Sequence, residues 1–136
     1  MATRSRVGMK LPDGQILSIY VHWDGYPEHH GPLLLNHYNQ HDAVKKLMSL
    51  GDLSSLGERL GERTDFDRPD NGQCVAYGRD RGEVETDAQV HDNLTSFLDA
   101  GRECGAEWFY LFDGKKWKCS SGGRWKELKN ATPEVV

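Results

Sequence analysis

The densest chemistry in the chain lies between Tyr20 and Pro32. There Tyr-Val-His-Trp-Asp-Gly-Tyr-Pro-Glu-His-His-Gly-Pro gathers three histidines, two carboxylates, a tryptophan and two tyrosines. Trp23 and Tyr26 have flat faces on which a ring can stack. Asp24 can accept a hydrogen bond from a base or ribose, and His22 can donate one. Gly31-Pro32 reads as a helix start, because proline suits the first helical position. That start would set free N–H groups and the positive end of the helix dipole beside His29 and His30, which favours an anion. His30 would add a donor, and a positive charge when protonated. A structural reading competes: Trp23 turned into the core, Tyr26-Pro27 shaping the turn, and Asp24 capping it.

A second group follows about fifty residues later, in Tyr77-Gly78-Arg79-Asp80-Arg81-Gly82-Glu83. On an extended chain Tyr77, Arg79 and Arg81 point the same way. Two guanidinium forks beside an aromatic face suit a phosphate or carboxylate on a ring-bearing molecule. The competing reading is a solvated strand end whose arginines pair with Asp80 and Glu83.

Other chemistries fit less well. His37 and His41 stand at i, i+4, and His22 and Asp24 share a face, but no H-E-x-x-H occurs and no metal site is expected. There is no G-x-S-x-G, no cysteine in an acyl-transfer context, no P-loop and no dinucleotide fingerprint. No cofactor is expected. The three cysteines, Cys74, Cys104 and Cys119, have no C-x-x-C spacing and read as reduced thiols.

The elements that must hold these residues follow from pattern. Val7–Met9 and Ile16–Trp23 read as strands joined through Pro12-Asp13-Gly14. That register puts Val7, Met9, Leu17, Ile19 and Val21 on one face, with Ser18, Tyr20, His22 and Asp24 on the other. Trp23 then falls on the core side. A short helix is expected over 33–39 and a second from Asp42 to Gly51 with Val44, Leu47 and Met48 inward. A third is expected from Asp52 with Leu53, Leu56 and Leu60 inward. Residues 61–73 read as loop, Gln73–Arg79 as strand. Thr86 and Gln89 suggest a capping box before a helix carrying Val90, Leu94, Phe97 and Leu98. Trp108–Phe112 and Lys115–Cys119 read as a hairpin through Asp113-Gly114, pairing Tyr110 with Trp117, and 124–128 as one more strand.

The whole is expected to be one α+β domain over 1–136, with 1–6 and 130–136 loose. Its mainly antiparallel sheet would combine an N-terminal hairpin with a C-terminal meander, and its helices would pack on one side. With 136 residues it can bury one core. A net charge of −4 argues against a general nucleic-acid binder. No apolar run approaches the ~20 residues of a membrane span, and the basic start leads into no apolar signal segment, so a cytoplasmic protein is expected.

The strings Ile-Tyr-Val-His-Trp-Asp-Gly-Tyr-Pro-Glu (19–28) and Val-Ala-Tyr-Gly-Arg-Asp-Arg-Gly-Glu (75–83) resemble a family of small uncharacterised proteins found mostly in bacteriophages and prophages. Gly-Asp-Leu-Ser-Ser-Leu-Gly (51–57) and Tyr-Leu-Phe-Asp-Gly-Lys-Lys-Trp (110–117) fit the same pattern, so the likeness spans about residues 7–120. His29-His30 replace the Gly-rich run that often follows the family's glutamate. The resemblance implies a phage accessory protein acting in the host cytoplasm. By analogy with phage proteins of this size, it would sequester a nucleotide second messenger of host immunity without cleaving it, and homo-oligomerisation is plausible. Arg79 and Arg81 would contact phosphates, Tyr26 and Tyr77 would stack on a base, Asp24 would accept and His22 donate. The alternatives are an inhibitor that binds a host protein, and a small hydrolase in which Asp24 orients His22 as general base.

Overall fold

The computed structural model describes residues 2–128. Two strands open the chain, β1 (Ser5–Lys10) and β2 (Ile16–Val21). Two helices follow, α1 (Pro27–His37) and α2 (His41–Ser49). Then come β3 (Leu53–Ser55), β4 (Val75–Ala76), the short α3 (Tyr77–Arg81), β5 (Gln89–His91) and α4 (Leu94–Glu103). Three strands close the described part, β6 (Trp108–Phe112), β7 (Trp117–Ser120) and β8 (Lys126–Glu127).

All eight strands join one sheet in the order β4-β3-β2-β1-β6-β7-β8, with β5 also paired to β2. The β1/β6 and β2/β3 contacts are parallel and the rest antiparallel. This is the expected α+β fold with a mainly antiparallel sheet. The first hairpin keeps its expected register: Val7 faces Ile19 and Met9 faces Leu17. Ser5 and Arg6, expected to be loose, are buried members of β1. The expected looseness of 130–136 lies outside the described residues.

Alternation along the strands sets two faces. Val7, Met9, Ile19, Val21, Tyr110, Phe112 and Trp117 form the main core with Leu34 of α1 and Val44, Leu47 and Met48 of α2. On the opposite face Ile16, Phe109 and Leu111 pack under Phe97 of α4. The helices therefore divide between both faces rather than sharing one, because β6 is apolar on both of its rows and each row needs a cover.

Several local expectations give way to tertiary contacts. The residues after Asp52 pair as β3 and do not form a helix. Gly51, at φ +73°, turns the chain out of α2, and the Asp52 carboxylate accepts from the Tyr20 N–H at 2.9 Å. A Cβ on Gly51 would meet the Thr86 carbonyl oxygen at 2.2 Å, so only glycine fits there. Gln89–His91 is drawn into the sheet, and α4 starts later, with Asn93 as its cap accepting from the Ser96 N–H at 2.9 Å. The late hairpin slips by two residues. Asp113 accepts from the N–H groups of Lys115 and Lys116, which lengthens the loop and pairs Phe112 with Trp117 and Tyr110 with Cys119. A slip of two keeps every side chain on its expected face.

Candidate functional site: an open aromatic and basic sheet face

The two chemistry-bearing stretches flank β3. His22 N–H donates to the Leu53 carbonyl and Trp23 N–H to that of Ser54, both at 3.0 Å. On the other edge β4 pairs with β3, and Tyr77 N–H donates to the Asp52 carbonyl at 3.2 Å. The fold thus brings together what about fifty residues separate in sequence.

Alternation decides what this meeting exposes. Val21, Leu53 and Ala76 point into the main core, so Tyr20, His22 and Ser54 point to the other face. The Tyr77 hydroxyl lies near Ser54 on that face. Here α4 covers the Ile16 end and leaves the far end open. Tyr20, His22, Phe66 and Tyr77 are half-buried, while Arg4, Trp23 and Arg81 are exposed.

The aromatic groups touch in two clusters. Tyr20 Oη lies 2.6 Å from His22 Nδ1, and the His22 ring meets the edge of Trp23 at a centroid distance of 4.7 Å. Phe66 and Tyr77 lie 5.5 Å apart, with the Arg81 guanidinium 4.3 Å from the first ring and 5.1 Å from the second. Such a cation over ring faces is attracted by their quadrupoles. Glu83 pairs with the same guanidinium. Burial raises the pKa of Tyr20 and of Tyr77, so both hydroxyls keep their protons.

Two arginines that the sequence reading passed over complete the face. Arg6 pairs with Tyr20 in the β1–β2 ladder, and Arg4, just before that ladder, is near enough to His22 for its charge to act on the ring. Burial, and then the charge of Arg4, lowers the His22 pKa. The first hairpin's alternation carries the signal for Arg4 and Arg6 once the strand is extended back to Ser5. Nothing in the 61–73 loop marks Phe66 in advance.

The structure reassigns three expected residues. Arg79 sits in α3, not on a strand, and turns its guanidinium inward. It donates to Asp80 at 2.9 and 3.1 Å, to the Leu60 and Gly61 carbonyls at 2.8 and 3.2 Å, and to the Cys74 carbonyl at 2.8 Å. It has no fork left for a phosphate. His30 is fully buried, since α1 starts at Pro27 and not at Pro32. The His30 N–H is spent on the Tyr26 carbonyl at 3.1 Å, and its ring stacks 5.2 Å from Tyr110. Burial, aided by His29, holds its pKa at about 3, so it carries no charge to an anion. Trp23, expected on the core side, is 44 % exposed because the strand ends at Val21.

Asp24 and Tyr26 lie apart from His22. Asp24 adopts φ +57° and accepts from Tyr26 Oη at 3.2 Å, and Gly25 is pinned by Tyr110 Oη, which donates to its carbonyl at 2.6 Å. Asp24 instead lines a cleft of about 440 Å³ with His29, Leu33, Leu56, Asp70 and Val75. Glu58 is the third carboxylate there, and no lysine or arginine lines the cleft, so it repels phosphate. Among the described residues no three His, Cys, Asp or Glu side chains converge to hold a metal ion. No helix among the described residues is long and apolar enough to cross a membrane.

No family model, curated protein or solved structure gives a significant match to the chain.

Proposed function

We propose that this is a non-catalytic binding protein that captures a ring-bearing, phosphate-bearing nucleotide on the open sheet face. The observation that carries this reading is the row of Tyr20, His22, Tyr77 and Phe66, half-exposed beside Arg4 and Arg81. Aromatic rings take a base by stacking and arginines take its phosphate. The phosphate role first given to Arg79 passes to other arginines. Binding without turnover is favoured because Asp24 accepts from Tyr26 and makes no hydrogen bond to His22, so the Asp–His pair that a general base would need is not assembled. The phage resemblance supplies the setting: sequestration of a host immune messenger in the host cytoplasm.

The test is calorimetry with adenosine monophosphate and with cyclic dinucleotides, followed by denaturing release. Intact nucleotide should return. Tyr77→Ala should weaken binding by about 1–3 kcal/mol, the worth of one base–aromatic stack. Released product would make the protein an enzyme, and unchanged affinity in the variant would remove the open face from the site. Native mass spectrometry of the same sample reads the oligomeric state.

One observation favours a second reading. Trp23 and Tyr26, three residues apart, are 44 % and 38 % exposed and are residue types that anchor protein interfaces. Stoichiometric capture of one host protein by the wild type, lost in Trp23→Ala, would establish that reading.

A further inference from the structure

Arg6 is the second residue of β1, and the fold buries it to 3 % exposure. A buried guanidinium is ordinarily matched by a carboxylate. Arg6 has none among the described residues. Its Nε donates to Ser18 Oγ at 2.9 Å, its Nη2 to Gln89 Oε1 at 3.1 Å, and its Nη1 makes only a loose 3.9 Å contact with Cys104 Sγ. All three partners are neutral. Five donors therefore meet two good acceptors and one poor one.

The surroundings give the charge no directly bonded anion among the described residues. Ser18 Oγ is shared with His91 Nε2 at 2.6 Å, and burial, then Arg6, lowers the His91 pKa, so the ring stays neutral. Asp52 lies near enough for Arg6 to act on its pKa, but no hydrogen bond or ion pair joins the two. Of its partners, Gln89 is exposed and Cys104 half-buried, so the guanidinium contacts the surface through them. Arg4 stands beside it on the same face, exposed and next to His22.

We propose that Arg6 and Arg4 form the anion end of the open face, where the phosphate of the ligand displaces the Gln89 amide and covers Cys104. This rests on the nucleotide reading above and names the groups that hold the charge. The base would lie across Tyr20 and Tyr77, and the phosphate would supply the negative partner that Arg6 lacks.

Cys104 makes the site measurable. Cys74 and Cys119 are buried, so a maleimide added to the native protein reports on Cys104. The experiment compares adenosine, adenosine monophosphate and inorganic phosphate on the full chain. Calorimetry should give the monophosphate at least a tenfold advantage over adenosine, and both phosphate-bearing probes should slow Cys104 labelling. Gln89→Glu would supply an internal carboxylate to Arg6 without removing any buried group. It should abolish the monophosphate advantage and leave adenosine binding intact, as should Arg4→Gln in part. Equal binding of adenosine and its monophosphate would overturn the anion site and leave the ring-binding reading standing. Failure of all three probes to bind would overturn both.

Discussion

Arg79 and Asp80, neighbours in sequence, lock onto each other: Nε and Nη2 of the guanidinium reach the two carboxylate oxygens at 2.9 and 3.1 Å. The same carboxylate accepts from the N–H groups of Thr64 at 3.0 Å and Ala76 at 2.8 Å. Together they tie the 60–64 loop to the start of α3. Burial alone would raise the Asp80 pKa, but Arg79 and the two N–H donors outweigh it and hold the carboxyl below its usual range.

The first prediction follows. Arg79→Ala strands a buried carboxylate and frees three carbonyls, so it should cost about 3–5 kcal/mol of stability. Urea denaturation measures it. A loss below about 1 kcal/mol would mean that the pair sits in water and that Arg79 is free for a ligand.

Much of the scaffold was legible because it depends on local alternation and turn chemistry. Val7, Met9, Ile19 and Val21 alternate, and Pro12-Asp13-Gly14 joins them, so register and face came out together. Leu53 and Leu56 were correctly read as inward, yet in the wrong element: three residues cannot tell a helix turn from a strand, and only the edge of β2 decides. The site was half legible. Tyr77 and Arg81 share a face in a helical turn as they would in a strand, but Arg79 rotates inward there. That rotation answers the needs of Asp80 and three carbonyls, none of which a sequence pattern displays. His30 looked like surface because helix starts at Pro27 and Pro32 are equally allowed, and the choice buries one histidine.

Acid should destabilise the protein through that histidine. In the unfolded chain His30 binds a proton near its ordinary pKa of about 6.5. In the folded protein it stays neutral down to about 3. Between these values the unfolded state holds the extra proton, so stability is full above about 6.5 and declines as pH falls. The decline from one ring is at most about 1.4 kcal/mol per pH unit. His22, His29 and His91 are lowered too and act in the same direction. Urea midpoints at about pH 7 and about pH 5 should converge more in His30→Gln than in the wild type. Parallel losses would show that His30 is solvated.

Gly101 tests the second face. It sits in α4 where an added Cβ would lie 2.1 Å from the Phe109 ring. Alanine gains helix propensity worth about 1 kcal/mol over glycine, but overpacking a tight contact costs about 1–3 kcal/mol. The Phe109 ring is held edge-on by Phe97 at 5.7 Å and cannot slide away. Gly101→Ala should therefore lower the melting temperature. A rise would place α4 further from the sheet.

The open face can be probed before any ligand is known, through Arg4 and His22. Burial of the ring, then the positive charge of Arg4, lowers the His22 pKa. Arg4→Gln removes the second cause and leaves the first, so the pKa of His22 should rise toward its ordinary value without recovering it fully. Arg4 is exposed, and the substitution should leave the fold unchanged. Titration of the ring protons by NMR reads the shift directly. The Tyr20 hydroxyl bears on the same ring at 2.6 Å, so Tyr20→Phe is the control that separates a lost hydrogen bond from a lost charge. If Arg4→Gln leaves the His22 pKa where it was, Arg4 does not stand over this face, and the cation that should meet a ligand's phosphate at its rim is absent.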